Sequence, residues 1–191
     1  MDREKLEQGV RMILEAIGER VDRPGLKETP SRVAEMYAEV FAGLGRDPRE
    51  ELTVFQDAEQ TGMIILRDIP FYSMCEHHLI PFLGRAHVTY LPQGGRLTGL
   101  SKLARVVEVI ARRPQVQERM TEEIADVLME GLKPRGVLVV IEAEHLCLSM
   151  RGINKPGTLA VSTAARGVLA ADEKLRSEAI TLTLARRPAR L

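Results

Sequence analysis

The sequence predicts an α+β protein, with an antiparallel sheet that carries two helices on one face and follows a helical N-terminal segment. Three observations predict this class. Apolar residues recur at three- and four-residue steps in the first 45 residues, the spacing of amphipathic helices. From residue 62, apolar runs predict strands on both sides of two further helical segments. The order strand, strand, helix, helix, strand, strand favours helices layered on an antiparallel sheet.

The N-terminal segment contains two predicted helices. An apolar face recurs through residues 3–20, and a Pro-Gly pair then ends the first helix. Thr29 is predicted as the N-cap of the second helix, with Pro30 as its first residue. The polar and acidic stretch 47–61 predicts a linker. We therefore expect two regions, a helical segment with its linker in residues 1–61 and a second domain in residues 62–191.

The elements of the second domain follow from the pattern in chain order. One strand is predicted to lead directly into a loop at Cys75, and alternation predicts another at 85–91. Ser101 is a candidate N-cap for a helix through residue 113, and Pro114 begins a second helix. The remaining predictions are a helix to residue 132, strands at 137–148 and 158–165, and a helix at 172–184.

Composition and charge limit the functional classes. The chain has 191 residues, with 27 acidic and 27 basic ones, so no global field predicts binding to nucleic acid or to a membrane. No apolar run reaches the ~20 residues that span a bilayer. The N-terminus is charged and lacks the apolar core of a signal peptide. We expect a cytoplasmic protein that binds neither nucleic acid nor membranes.

Both cysteines and three of the four histidines fall in two short segments, residues 75–78 and 145–147. Thiolate and imidazole are the ligands that Zn²⁺ prefers, and the spacing of Cys75 and His78 lets one loop supply two of them. With Cys147 as a third ligand, a fourth position stays open for water. Three protein ligands and an open position are typical of a catalytic zinc site.

The geometry expected for the second segment follows from its predicted strand. Residues two apart on a strand share a face, so His145 and Cys147 are predicted to point the same way. Two alternatives stay open from the residues alone: a disulfide between Cys75 and Cys147, and two buried thiols without a ligand role. By its position alone, His77 is either a proton carrier or a surface neighbour of a ligand.

Four segments, taken in order, resemble those of the zinc-dependent GTP cyclohydrolase I family over residues 27–165. They are CEHH at 75–78, GLSKLAR at 99–105, RPQVQER at 113–119 and HLCLSMRG at 145–152. The resemblance implies the tunnelling fold, whose ββααββ unit has the element order predicted above. It also implies hydrolysis of GTP at C8 of the purine with release of formate. The implied product is 7,8-dihydroneopterin triphosphate, in the first step toward folate or related pterins.

The same resemblance implies roles at the metal. Cys75, His78 and Cys147 match the family's zinc ligands, with one Zn²⁺ per subunit and zinc-bound hydroxide as the nucleophile. His77 matches the family's acid–base histidine, which carries a proton to and from the purine N7. His145 matches a second histidine of the site, as an acid or as a positioning group.

Further residues match the family's substrate contacts. Glu118, preceded by Gln117, matches the pair that recognises the base, because a carboxylate can accept from N1–H and the amine of guanine. Ser101 matches a serine near the ribose. Arg32 fits an arginine that reaches the triphosphate, although Glu35 stands where the family often has a lysine. Three more residues match the triphosphate ligands: Lys102, Arg105 and Arg151.

The resemblance implies a homodecamer of two stacked pentameric rings, with active sites at subunit boundaries. The residues give a separate reason to expect a cover for the sheet. A sheet of about four strands with one helix-covered face leaves two edges and an apolar face, which includes residues 137–141, without a partner. Either the N-terminal helices or other copies of the chain would then cover them.

Two other functions are considered. One is that of a nitrile-reducing relative with the same fold, which uses a nucleophilic cysteine and a nicotinamide cofactor. The combined set Cys75, His78 and Cys147 argues against it. The other is a zinc-stabilised binding module without catalysis, which a fourth protein ligand, from His77 or His145, would favour.

Overall fold

The computed structural model describes residues 1–57 and 60–185, and its mixed α+β class confirms the prediction. The chain forms two compact units, Met1–Ala42 and Gly43–Leu191. The stretch predicted as a linker, residues 47–61, belongs to the second unit. It includes a 3₁₀ helix at Pro48–Glu51 and strand β1 at Val54–Gln56. The predicted division into domains after residue 61 stays a prediction.

The first unit contains helices α1, Arg3–Ala16, and α2, Thr29–Val40. The first helix ends earlier than predicted, because Gly18 adopts a left-handed backbone with φ 86°. The N-cap position of α2 is Glu28, so the prediction of Thr29 as the N-cap is wrong by one residue. Pro30 still lies in the first turn, where its missing N–H costs no helical hydrogen bond.

The second unit is built on a five-stranded sheet with the order β5-β2-β3-β6-β7. Its long strands pair antiparallel in the order β2, β3, β6, β7, and the short β5 pairs parallel with β2. A separate antiparallel pair joins β1 and β4, Arg96–Thr98. The five strands are β2 at Ile64–Cys75, β3 at Pro81–Leu91, β5 at Pro114–Gln115, β6 at Gly136–His145 and β7 at Leu159–Gly167.

One face of this sheet packs on helices α3, Leu100–Ala111, and α4, Gln117–Leu132. Side chains alternate along β3 and β6, so every second residue faces these helices. The buried core on this face includes Ala86, Val88, Tyr90, Val137, Val139 and Ile141 from the strands, and Leu103, Val106, Ile110, Met120, Ile124 and Leu128 from the helices. This cluster fixes the register of the strands that end at the candidate site.

The opposite face of the sheet is also covered within the unit. Helices α6, Val168–Ala171, and α7, Glu173–Leu184, form a second core with it, which contains Leu91, Leu138, Val140, Leu169 and Ala179. The threonine hydroxyls of Thr89 and Thr183 lie 3.0 Å apart across this contact. The two helices predicted on one face are α3 and α4. The sequence left the other face to be covered by the N-terminal helices or by other copies of the chain, whereas the C-terminal helices pack on it.

Strands β3 and β6 approach closely at Gly84. A Cβ at this position would lie 2.0 Å from the Glu142 carbonyl oxygen and 2.7 Å from the Ala143 Cα. Backbone atoms cannot move aside as a side chain would, so only glycine fits between the strands here. The close approach brings Phe82, two residues earlier on β3, opposite His145 at the end of β6.

Candidate metal centre and its surroundings

The loop between β2 and β3 places two candidate ligands side by side. The Cys75 carbonyl accepts hydrogen bonds from the backbone N–H groups of His78, at 3.3 Å, and Leu79, at 2.8 Å. The Cys75 N–H donates to the Ile80 carbonyl at 3.0 Å, and Leu79 closes the turn with a φ of 50°. This tight turn lets the side chains at both ends of Cys-x-x-His approach one point.

The third ligand is supplied by a helical turn, α5 at Leu146–Ser149, which follows β6 directly. The predicted strand 137–148 is therefore too long, because pairing with β3 ends at His145. The Glu144 carboxylate accepts from the Ser149 hydroxyl at 2.7 Å and from the Gly157 N–H at 2.9 Å. These bonds fold the following loop back and turn Cys147 towards the β2–β3 turn.

Cys75, His78 and Cys147 form the group of potential metal ligands, with ligand atoms that all lie within 4.8 Å of one another. Cys75 is buried, Cys147 is half-buried and His78 is exposed, so the group opens to solvent on the histidine side. Both cysteines are free thiols in the structure, which is not the disulfide alternative. Together the three residues can hold a metal ion.

Without a bound cation, burial and the neighbouring sulfur both disfavour the thiolate form of Cys147. Burial raises the pKa of the Cys147 thiol, and the neighbouring Cys75 raises it further. The positive charge of Arg151 acts in the opposite direction and lowers the pKa of the thiol. A divalent cation between the two sulfurs would remove the penalty on their thiolate forms, because the ion becomes the largest local charge.

His77 lies beside the ligand group and is not part of it. Its Nδ1 is 3.9 Å from the Cys75 Sγ, and its Nε2 is 3.9 Å from a Glu76 carboxylate oxygen. Its side chain is 65% exposed. The imidazole is therefore accessible to solvent and to a ligand from outside, as a proton carrier needs to be.

Glu76 and Arg119 hold the metal loop to the start of α4, and sequence reasoning gave neither residue a role. The Glu76 N–H donates to the Gln115 carbonyl at 3.0 Å, and its carboxylate accepts from the Arg119 guanidinium. The Arg119 Nε also donates to the Gln115 side-chain oxygen at 3.2 Å. The hydrogen bond from Arg119 lowers the pKa of Glu76. Glu76 lies in the motif at 75–78 and Arg119 in the motif at 113–119, and this position was the sequence signal that could have identified them.

His145 is held from two sides. Its ring stacks on Phe82 with 4.6 Å between centroids and 2° between planes, and its Nε2 lies 2.7 Å from the Gln117 side-chain oxygen. Burial lowers the pKa of His145, while the Glu118 carboxylate nearby opposes that effect. The structure thus orients the imidazole and brings it close to the start of α4.

The residues matched to substrate contacts lie at the starts of two helices and on a loop. Glu118 is exposed in the first turn of α4, while Gln117 before it is buried. Gly99 is the N-cap of α3, so Ser101 lies inside the helix and the N-cap prediction is wrong. Lys102 and Arg105 follow in the same helix, and Arg151 is exposed after α5.

The basic residues of this set carry unpaired charges. Within residues 1–57 and 60–185, no ion pair engages Lys102, Arg105 or Arg151, so all three can meet an anion. Arg32 is exposed on α2 in the first unit. In the same unit Glu35 pairs with Arg3 at 2.7 Å. That carboxylate therefore has a partner within its own unit.

Fold and site together define a class of protein. It is an α+β protein in which two thiols and one imidazole can hold a metal ion, with His77 and His145 as further histidines of the site. The family model described as GTP cyclohydrolase I matches residues 6–184 of this chain. The chain belongs to the GTP cyclohydrolase I family, and the predicted enzyme class is confirmed. The match extends beyond the residues 27–165 that carry the resemblance and includes the whole of α7.

Relatives at high identity support this assignment. A GTP cyclohydrolase 1 of Carboxydothermus hydrogenoformans is 60% identical over 182 residues, 95% of each chain. One of Thermoanaerobacter pseudethanolicus is 59% identical, over 95% of this chain and 97% of the relative. The solved apo structure of the archaeosine synthase QueF-Like has 15% identity and a TM-score of 0.48, over 57% of this chain and 97% of that one.

Among the described residues, no helix is long and apolar enough to cross a membrane.

Proposed function

We propose that this protein hydrolyses GTP at C8 of the purine, releases formate and forms 7,8-dihydroneopterin triphosphate, the first step of folate or pterin biosynthesis. The observation that carries the proposal is the convergence of Cys75, His78 and Cys147 ligand atoms to within 4.8 Å, beside an exposed His77. Family membership supplies the reaction class for that geometry. The proposal includes the tunnelling fold with its ββααββ unit and a cytoplasmic location.

The donor set fits Zn²⁺. Two thiolates and one imidazole around a tetrahedral zinc ion lie about 3.3–3.8 Å apart, so small side-chain rotations would close the present group on one ion. The exposed His78 side of the group leaves room for a fourth, non-protein ligand. When bound, zinc supplies Lewis acidity that makes water nucleophilic near neutral pH. One ion per subunit satisfies the three residues.

Two histidines handle protons in this proposal. His77 is exposed and stands 3.9 Å from Cys75, so it can exchange a proton between solvent and a purine nitrogen. His145 is half-buried and held in orientation by Phe82 and Gln117. The two imidazoles thus differ in environment. His77 is suited to exchange protons with solvent, and His145 is suited to contact the substrate within the site.

Recognition of the base is assigned to the start of α4. The exposed Glu118 carboxylate would accept from N1–H and from the amine of guanine, a pair that adenine does not present. A site that depends on these bonds rejects adenine, because the carboxylate would lose its partners on desolvation. Gln117, the other residue of the predicted pair, takes part through its contact with His145.

The triphosphate is assigned to the basic residues and the start of α3. Lys102 and Arg105 lie on that helix, whose first N–H groups add to the attraction for phosphate. Arg151 follows the metal-ligand turn, where it can reach the same ligand. Ser101 is exposed between these groups and is assigned to the ribose. Arg32, on α2, is assigned to the triphosphate by the resemblance alone.

Assembly into a homodecamer of two stacked rings is part of the proposal. Because helices of the same chain cover the second face of the sheet, that face gives no reason to expect contacts with other copies of the chain. The edge of the sheet does give such a reason. Strand β7 is an edge strand on which Leu159 is 59% exposed and Val161 is 57% exposed. Such an apolar edge is a template for pairing with another strand, and side-by-side pairing of sheets would bury it.

A formate assay with GTP, combined with fluorescence detection of the pterin and zinc analysis, tests the function. We expect stoichiometric zinc, formate and pterin release from GTP, and no product from ATP. Zinc without formate release would favour a zinc-stabilised binding module. The absence of zinc together with reduction of a nitrile by a nicotinamide cofactor would favour the nitrile-reducing relative.

A further inference from the structure

The buried side chain of Gln117 has only one possible orientation. This residue is 2% exposed, and its amide nitrogen lies 3.2 Å from the Ile141 carbonyl oxygen and 3.1 Å from the Ala160 carbonyl oxygen. Carbonyl oxygens only accept, so the NH₂ group has to face them. The reversed orientation would place the carboxamide oxygen against two carbonyl oxygens. The carboxamide oxygen therefore points at His145.

This orientation assigns the proton on His145. The distance between the Gln117 oxygen and the His145 Nε2 is 2.7 Å, a good hydrogen bond. Since the oxygen can only accept, Nε2 carries the hydrogen. A neutral imidazole has one N–H, so Nδ1 holds the lone pair. Phe82 fixes the plane of the ring by stacking, and Gln117 fixes its rotation within that plane.

Two hydroxyls behind Gln117 agree with the same assignment. The Thr121 hydroxyl lies 2.7 Å from the Gln117 backbone carbonyl, to which it can only donate. Its other contact, 2.6 Å to the Ser162 hydroxyl, then has Ser162 as donor. The Ser162 oxygen is left to accept from the Gln117 NH₂ at 3.0 Å. Each of the two hydroxyl protons therefore has one acceptor, and the Gln117 NH₂ group faces three.

We propose that Gln117 is a positioning residue that acts through His145 and holds the ring with its Nε2–H directed at the Gln117 oxygen. The inference deepens the proposed function and rests on it for the catalytic meaning of His145. It also changes the part assigned to Gln117 by the resemblance. The carboxamide nitrogen faces three acceptors within the chain and the oxygen faces His145, so we infer that Gln117 contributes to substrate chemistry through the imidazole.

The tautomer can be read without substrate. With ¹⁵N-histidine in the zinc-loaded protein, the chain's four histidines give four ring systems, and His145→Gln identifies the signals of His145. At alkaline pH we expect a single Nε2–H tautomer, with a dipolar contact from that proton to the Gln117 side-chain carbon. Observation of Nδ1–H at His145 would overturn the inference, whether or not the protein converts GTP.

Two variants separate the carboxamide from its surroundings. Gln117→Met keeps the length of the side chain without the acceptor, so we expect His145 to become a mixture of tautomers. Ser162→Ala is the matched control, because both carbonyls remain to orient the Gln117 NH₂, and the tautomer should not change. A single Nε2–H tautomer in Gln117→Met, or a mixture in Ser162→Ala, would contradict the assignment. Far-UV circular dichroism and zinc content show whether each variant folds.

Kinetics then distinguish positioning from binding. If Gln117 acts through His145, Gln117→Met lowers kcat for formate release by about 10- to 100-fold, the usual cost of losing the group that orients a catalytic residue, with little change in KM for GTP. An increase in KM with kcat unchanged would instead mean that Gln117 binds the base. If no variant and no parent protein releases formate, the proposed function fails, while the tautomer result stands separately.

Discussion

The stacking of His145 on Phe82 makes a quantitative prediction about turnover. Phe82 is fully buried, and its ring lies parallel to the imidazole at 4.6 Å between centroids. Phe71, its neighbour in the same core, is 2% exposed and contacts Phe82 edge-on at 5.9 Å. Replacing either ring by leucine removes similar volume from one cluster, but only Phe82→Leu removes the surface that supports His145.

The expected magnitudes follow from these contacts. Each Phe→Leu change should destabilise the fold by about 1–2 kcal/mol, since it leaves a small cavity in a packed core. An aromatic pair contributes about 0.5–1.5 kcal/mol beyond buried area. If that energy orients the imidazole in the transition state, Phe82→Leu should lower kcat by about two- to tenfold. Phe71→Leu should leave kcat within about twofold of the parent.

The assay is formate release from GTP at saturating substrate, with zinc content and urea midpoints measured at equal protein concentration. We expect similar midpoints and full zinc in both variants, and a lower kcat in Phe82→Leu alone. Equal losses of kcat in the two variants would show that general loosening of the core is responsible. An unchanged kcat in Phe82→Leu would refute a role for the stack.

Three further predictions concern the metal, the base and the assembly. Cys75→Ser and Cys147→Ser should each lose zinc and activity, and stoichiometric zinc in either variant would refute the ligand assignment. His77→Ala should keep its zinc, while its kcat falls by about 100-fold or more. Glu118→Gln should severely lower kcat/KM for GTP, because the amide presents a donor to a donor, and near-normal turnover would place guanine recognition elsewhere. Light scattering on active protein should give about 210 kDa, ten times the 21.3 kDa chain, and a fully active monomer would contradict the shared sites.

The sequence alone determined features that depend on local spacing. Cys75 and His78 share one turn because only two residues separate them along the chain, and their ligand chemistry predicts a metal. Apolar periodicity predicted both helices on the first face of the sheet. A helix was also predicted near the C-terminus, and it is observed at Glu173–Leu184. These features need no knowledge of what packs against them.

Only the tertiary structure decided how distant residues meet. His145 and Gln117 are 28 residues apart, and Glu76 and Arg119 are 43 apart, so no periodicity joins them. The helical turn that carries Cys147 forms because Glu144 binds Ser149 and Gly157, which competes with further pairing on β3. The second covered face of the sheet arises in the same way. Contacts across the fold depend on packing and on the satisfaction of buried polar groups, which a linear pattern does not contain.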